Sequence, residues 1–142
     1  MKKYSLLLLV SVCFIFTSCD ETEKIPPHIN GVWTALVIAT YIEYNDGTST
    51  LVSVENYWEG ERVLTLGTDN TWTEQIGETI HTGYWELRYE NRQWVLYLQQ
   101  TVSHRKFFVI EASFSTLILN EITPLGTIRQ HSETTYAKIG RN

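Results

Sequence analysis

The sequence predicts an all-β domain, a single antiparallel meander of 8–10 strands closed into a barrel. Three observations carry this. Helical periodicity is nearly absent, and in its place come short runs rich in Val, Ile, Thr, Tyr and Trp. Turn signals separate these runs at short intervals, which excludes the crossover helices that a parallel sheet needs. Nearly every connection reads as a local hairpin, and a long meander leaves two exposed edges unless it closes. A sandwich is the competing architecture, and the lack of a long Greek-key return favours the barrel.

The elements follow in order. The segment 31–44, "GVWTALVIATYIEY", ends at Asn45-Asp46-Gly47, a strong hairpin turn. Then come 50–58, broken at Glu59-Gly60; 62–66, turning at Gly67 to Asn70; and 71–76, stopping at Gly77-Glu78. The run 79–89 stops at Glu90-Asn91-Arg92 and 93–100 follows. The last are 106–112, 115–122 and a closing pair around 127–130 and 134–139. Strict alternation assigns faces: Trp94, Leu96 and Leu98 on one side of their strand, Trp85 and Leu87 on one side of theirs, Trp72 and Ile76 on another. In the first strand Trp33, Ala35, Val37, Ala39 and Tyr41 alternate with Leu36, Ile38 and Ile42. Both faces are apolar there, so both should be covered.

Upstream of the strands, Met1-Lys2-Lys3 and the apolar run "YSLLLLVSVCFIF" form a secretory signal peptide, too short to span a bilayer at the roughly 20 residues that spanning needs. Thr17-Ser18-Cys19 then resembles a bacterial lipobox, with Phe16 where Leu is usual. The organisation expected is a signal peptide over 1–18, a lipidated Cys19 with a tether over 19–29, and one domain over 30–142. Cys13 leaves with the signal, so Cys19 is the one remaining cysteine and no intrachain disulfide can form. Its thiol is expected to carry diacylglycerol, with palmitate among the acyl chains, as a membrane anchor. The acidic start of "DETEKIPPHIN" resembles the surface-export signal of Bacteroidetes lipoproteins. Pro26-Pro27 makes the tether a semi-rigid spacer. The expected location is the cell envelope, as an outer-membrane lipoprotein either displayed at the surface, as the acidic start favours, or retained on the inner leaflet of that membrane.

Loss of Lys2 and Lys3 leaves nine basic residues against sixteen acidic ones, a formal charge of −7. With no basic stripe, nucleic acid is not an expected partner. The residues after the tether suffice for one core, and a monomer is expected.

Two stretches resemble a known family. Gly31-Val32-Trp33 is similar to the Gly-X-Trp motif that opens lipocalins. "LTLGTDNTWTEQIGETIHTGYWEL" resembles the second signature of lipocalin-like lipoproteins of Bacteroidetes, carried by Leu64–Leu66, the Asp69-Asn70 turn, Thr71-Trp72-Thr73 and Gly83-Tyr84-Trp85. Asn70 stands where Gly is commoner and tolerates the same left-handed backbone. The resemblance spans roughly 30–139 and implies a barrel that carries a small apolar or amphipathic molecule. It also implies a cation from the last strands, Lys138 or Arg129, packed on Trp33.

No chemistry-bearing motif is legible. His28, His81, His104 and His131 form no metal-ligand spacing, so no metal or cofactor is expected. There is no phosphate loop and no nucleophile elbow, and the chain reads as a non-enzyme. Ligand-binding candidates are Trp33, Val37, Tyr41, Trp72, Trp85 and Trp94. Ala35 and Ala39 leave room beside Val37. Glu74 and Glu111 share strand faces with apolar neighbours and would supply the polar contacts of such a pocket. The other expectation is a filled barrel acting as an interaction module toward a protein or glycan, with Tyr57-Trp58 as an exposed aromatic platform.

Overall fold

A computed structural model describes residues 26–139; the signal segment, Cys19 and the tether up to residue 25 lie outside the described residues. Nine strands run in order: β1 (Gly31–Glu43), β2 (Ser49–Asn56), β3 (Arg62–Leu66), β4 (Thr71–Ile76), β5 (Thr79–Glu90), β6 (Gln93–Gln99), β7 (His104–Ala112), β8 (Thr116–Leu125) and β9 (Ile128–Lys138). All pairings are antiparallel, and β9 returns to β1 to close the sheet. The closing pair expected at the C-terminus is one continuous strand, β9, joined to β8 through Gly126-Thr127.

Nine strands make eight staves. β2 pairs with the second half of β1 (Val37 to Glu43) and β3 with its first half (Gly31 to Thr34), both on the same side. They are one stave interrupted by Tyr57 to Glu61. That insertion folds back on the outer surface: Gly60 N donates to Thr34 Oγ1 at 3.0 Å and Tyr57 N to Leu36 O at 2.9 Å. The loop between β3 and β4 turns on Asn70 at φ 63°, the left-handed conformation its residue type permits.

The core runs along the barrel axis. Trp33, Ala35, Leu64, Leu66, Trp72, Leu96, Leu98, Phe107, Leu117, Leu119 and Tyr136 point inward, with Trp85, Leu87, Val109 and Ala112 packed against them. Three tryptophans also anchor the wall. Trp33 Nε1 donates to Ile29 O (2.8 Å), Trp72 Nε1 to Gln99 O (3.3 Å) and Trp85 Nε1 to Gly67 O (3.0 Å). Each indole thus buries a large apolar body and satisfies its one donor. Gly83 makes the second of these possible: a Cβ there would overlap the Gln99 carbonyl and press on Trp72 Nε1. Gly31 has a similar role at φ 144°, where a Cβ would lie 2.7 Å from Lys138 Cε.

Lys138 Nζ sits 5.1 Å from the Trp33 ring centroid and 5.6 Å from that of Phe114. Of the two cations the resemblance implies, Lys138 is the one in place. Arg129 pairs in register with Glu43 at the opposite end of β1.

Ile29 is fully buried beneath Trp33, so the end of the tether is part of the core. Trp33→Ala should cost about 3–5 kcal/mol, by transfer plus cavity. Lys138→Ala should cost about 0.5–1 kcal/mol, the scale of a partly exposed cation–π pair. Denaturant melts of the two variants check the ranking.

Candidate functional site

The barrel has two unlike ends. The tether end carries Ile29, the β3–β4 and β7–β8 loops and the end of β9. The other end carries the β4–β5, β6–β7 and β8–β9 turns, and there the inward side chains become charged. Glu74, on β4, is 2% exposed. Its Oε1 accepts from Arg62 Nη2 (2.8 Å) and Nε (3.1 Å), and its Oε2 from Arg105 Nη1 at 2.7 Å. Arg105 in turn grips Glu121 with two parallel bonds, Nη2 to Oε2 at 2.9 Å and Nε to Oε1 at 3.1 Å. Two cations and two carboxylates cancel, and all four side chains sit across the mouth as a plug. Arg105 also lies over Phe107, 4.7 Å from its centroid. Burial opposes the Arg105 charge, but its bonds to Glu121 and the nearby Glu74 carboxylate outweigh this and hold its pKa above the ordinary value. Beneath the plug, burial pushes the Tyr136 phenol up to about 12.

Above the mouth, one side of the barrel continues. The second halves of β1 and β8, the first half of β9 and all of β2 form a four-stranded sheet running past the ends of β3, β4 and β7. Register assigns its faces. Ile38, Thr134 and Leu119 continue the core, and beyond them the same face carries Thr40, Ser53, Ser132 and Glu121. The opposite face carries Val37, Ala39, Tyr41, Leu51 and Val54. Leu51, Val52 and Val54 are 50–61% exposed.

Strand bulges explain how the expected ligand residues are distributed. Trp33, Trp72, Trp85 and Glu74 do meet inside the barrel, as filling and plug. Val37 and Tyr41 do not join them. Leu36 is an extra residue between Ala35, opposite Tyr136, and Val37, opposite Thr135, and this one-residue bulge turns the rest of β1 over. Glu111 is turned outward and exposed in the same way, by an extra Ile110 between Val109 and Glu111. Trp94 is half-buried and packs edge-on against Tyr89, centroids 5.1 Å apart. Trp58 is 85% exposed in the inserted loop.

Sequence reasoning missed three partners of Glu74 and its network: Arg62, Arg105 and Glu121. Inward charges on alternating strands carry no local signature, and only their period-2 phase with Leu64, Phe107 and Leu119 could have pointed to them. It also missed the outer cluster in which His131 Nε2 meets Glu43 Oε2 at 2.7 Å and His131 Nδ1 meets Asn120 Nδ2 at 3.2 Å. Among the described residues no group of three or more His, Cys, Asp or Glu side chains could hold a metal ion.

A cavity able to admit a ligand leaves its walls open to a water-sized sphere. Trp33, Ala35, Leu64, Leu66, Trp72, Leu96, Leu98, Leu117, Leu119 and Tyr136 are each 0–2% exposed. The barrel axis is therefore occupied by the protein's own side chains, as expected for eight staves whose interior is just wide enough to fill. A groove of about 710 Å³ does exist at the tether end, lined in part by Val32, Leu66, Phe114, Lys138 and Ile139. Comparison of the chain with family models, curated proteins and solved structures returns no match.

Glu74→Gln should destabilise by about 3–5 kcal/mol, because it leaves Arg62 and Arg105 facing each other without their shared counter-charge. Glu86→Gln, which breaks a surface pair with Arg88, should leave the melt unchanged. The Tyr136 phenol binds its proton more tightly folded than unfolded. It therefore contributes stability that is present below pH 10 and lost as pH rises toward about 12. Tyr136→Phe should abolish that alkaline loss, on the order of 2–3 kcal/mol, as read by stability against pH.

Proposed function

We propose that this chain is a lipid-anchored interaction module of the cell envelope. A solid barrel is held at the membrane through Cys19, and its far end and outer surface contact a macromolecular partner, protein or glycan. The observation that carries this reading is the filled axis: Trp33, Trp72 and the Glu74 ion network stand where a ligand carried inside a barrel would lie. The exposed surface supports it too, since Leu51, Val52, Val54 and Trp58 lie at the end away from the tether. The proposed anchoring rests on the lone cysteine behind small residues in "FTSCDETEK". The proposed kinship with lipocalin-like lipoproteins of Bacteroidetes rests on Gly31-Val32-Trp33 and Gly83-Tyr84-Trp85, both of which have definite packing roles in the barrel.

A second reading keeps the small amphipathic ligand but moves it out of the barrel. It is favoured by the groove at the tether end, where apolar Val32, Phe114 and Ile139 surround the Lys138 cation.

Titration with fatty acids and bile-acid-like amphiphiles, followed by tryptophan fluorescence, separates the readings. The interaction module predicts no saturable change. Saturable binding that Phe114→Ala abolishes would establish the groove reading instead. Cys19→Ala should abolish incorporation of labelled fatty acid and release the chain from the membrane fraction; continued labelling would overturn the anchor.

A further inference from the structure

We infer that the free edge of β2 pairs with β2 of a second copy, so that two projecting sheets join into one across a twofold axis. Among the described residues β2 pairs with β1 alone, and its other edge meets no strand. Such an edge offers a row of amide donors and carbonyl acceptors to any strand that fits. Natural edge strands are usually blunted by lysine, proline or an inward charge. The eight residues of β2, "STLVSVEN", contain no Lys, Arg or Pro, and their one charge, Glu55, is solvent-exposed.

The bulge in β2 is what makes the strand fit itself. Thr40 pairs with Ser53 and Tyr41 with Leu51, so Val52 is the extra residue. As a result Leu51 and Val54, three apart in sequence, both lie on the outer face, while Thr50 and Glu55 both lie on the inner one. An antiparallel twofold centred between Val52 and Ser53 then matches faces at the three pairs that flank this centre. Leu51 meets Val54 of the second copy, Thr50 meets its Glu55, and Ser49 meets its Asn56. Each contact occurs twice, as an isologous interface requires. No like charges stand opposite each other, because Glu55 faces a threonine hydroxyl. Shifting the pairing by one residue would set outer against inner side chains, so a one-residue slip is disfavoured.

The paired outer faces form one apolar surface from Leu51, Val54, Ala39 and Tyr41 of both copies. This gives a partner to side chains that a monomer leaves half exposed. The twofold is perpendicular to the sheet, so the two tethers leave in opposite directions along it. A tether over 19–29 reaches roughly 35 Å when extended, enough for both copies to lie on one membrane. The inference rests on the interaction-module reading and can fail separately from it, since amphiphile binding and self-association are different measurements.

The test uses the full exported chain in mild detergent. Sedimentation should show a concentration-dependent dimer, and Leu51→Lys/Val54→Lys should be monomeric, with a thermal melt that no longer depends on concentration and matches that of the parent chain at dilutions where it is monomeric. Oxidation of a Leu51→Cys/Val54→Cys double variant should give a covalent dimer, because facing residues sit about 5 Å apart, within disulfide reach. Either single cysteine should not cross-link, since its own symmetry mate lies roughly 10 Å away along the strand. The parent chain with Cys19 sets the thiol background. A chain that stays monomeric at high concentration overturns the inference. So does a dimer that survives the lysine substitutions, or one that the single variants cross-link as well as the double.

Discussion

A carboxylate at the centre of a barrel cannot stand alone, and Glu74 organises much of this molecule for that reason. Removing an ion from water costs several kcal/mol even after relaxation, and only close, well-aligned partners offset it. Here two guanidinium groups meet the two oxygens of Glu74, and the second of them is held by Glu121. These four residues come from β3, β4, β7 and β8, so one network ties together staves from both sides of the barrel. Well-packed apolar side chains would have matched its stability, since buried ion pairs rarely exceed them. The network instead gives a polar end to a barrel whose other end is closed by indoles.

That asymmetry separates two jobs. At the tether end, the last residues of the spacer enter the core: Ile29 is fully buried and its carbonyl accepts the Trp33 indole proton. Lys138 closes the same end by lying over Trp33 and Phe114. A pull along the tether would therefore meet packed structure at once. At the far end nothing comparable among the described residues covers the sheet formed by β1, β2, β8 and β9.

Much of the fold was legible because hairpin turns and period-2 alternation are local. Asn45-Asp46-Gly47, Asn70 and Asn91-Arg92 all mark turns, and the last three adopt the positive φ values those turns need. The tryptophans at 33, 72 and 85 were rightly placed inside for the same reason. Face assignment failed wherever a bulge intervened. Leu36 and Ile110 each add one residue to a strand, and a single residue exchanges the two faces beyond it. Val37, Tyr41 and Glu111 were misplaced by that one cause. Apolar residues on both faces of β1 concealed the slip, since either phase reads as acceptable. Whether the interior would be empty or full was not legible at all. It depends on the summed volume of side chains from eight staves and on charges that become neighbours only when the barrel closes.

The bulges are better understood as the source of the exposed surface than as interruptions of the core. Without Leu36, Val37, Ala39 and Tyr41 would continue the Trp33 face inward, and the sheet above the mouth would direct its apolar side into the barrel. With Leu36 inserted, Ile38 takes the inner position against Thr134, and the apolar set faces solvent. Val52 then keeps Leu51 and Val54 on that same outer side despite their odd spacing. Two single-residue insertions thus move an apolar stripe from where it would add stability to where it adds none in a monomer. Burying Leu or Val is worth roughly 1.5–3 kcal/mol per side chain, and the isolated chain forgoes part of this at each exposed position. A partner that covers the stripe recovers it.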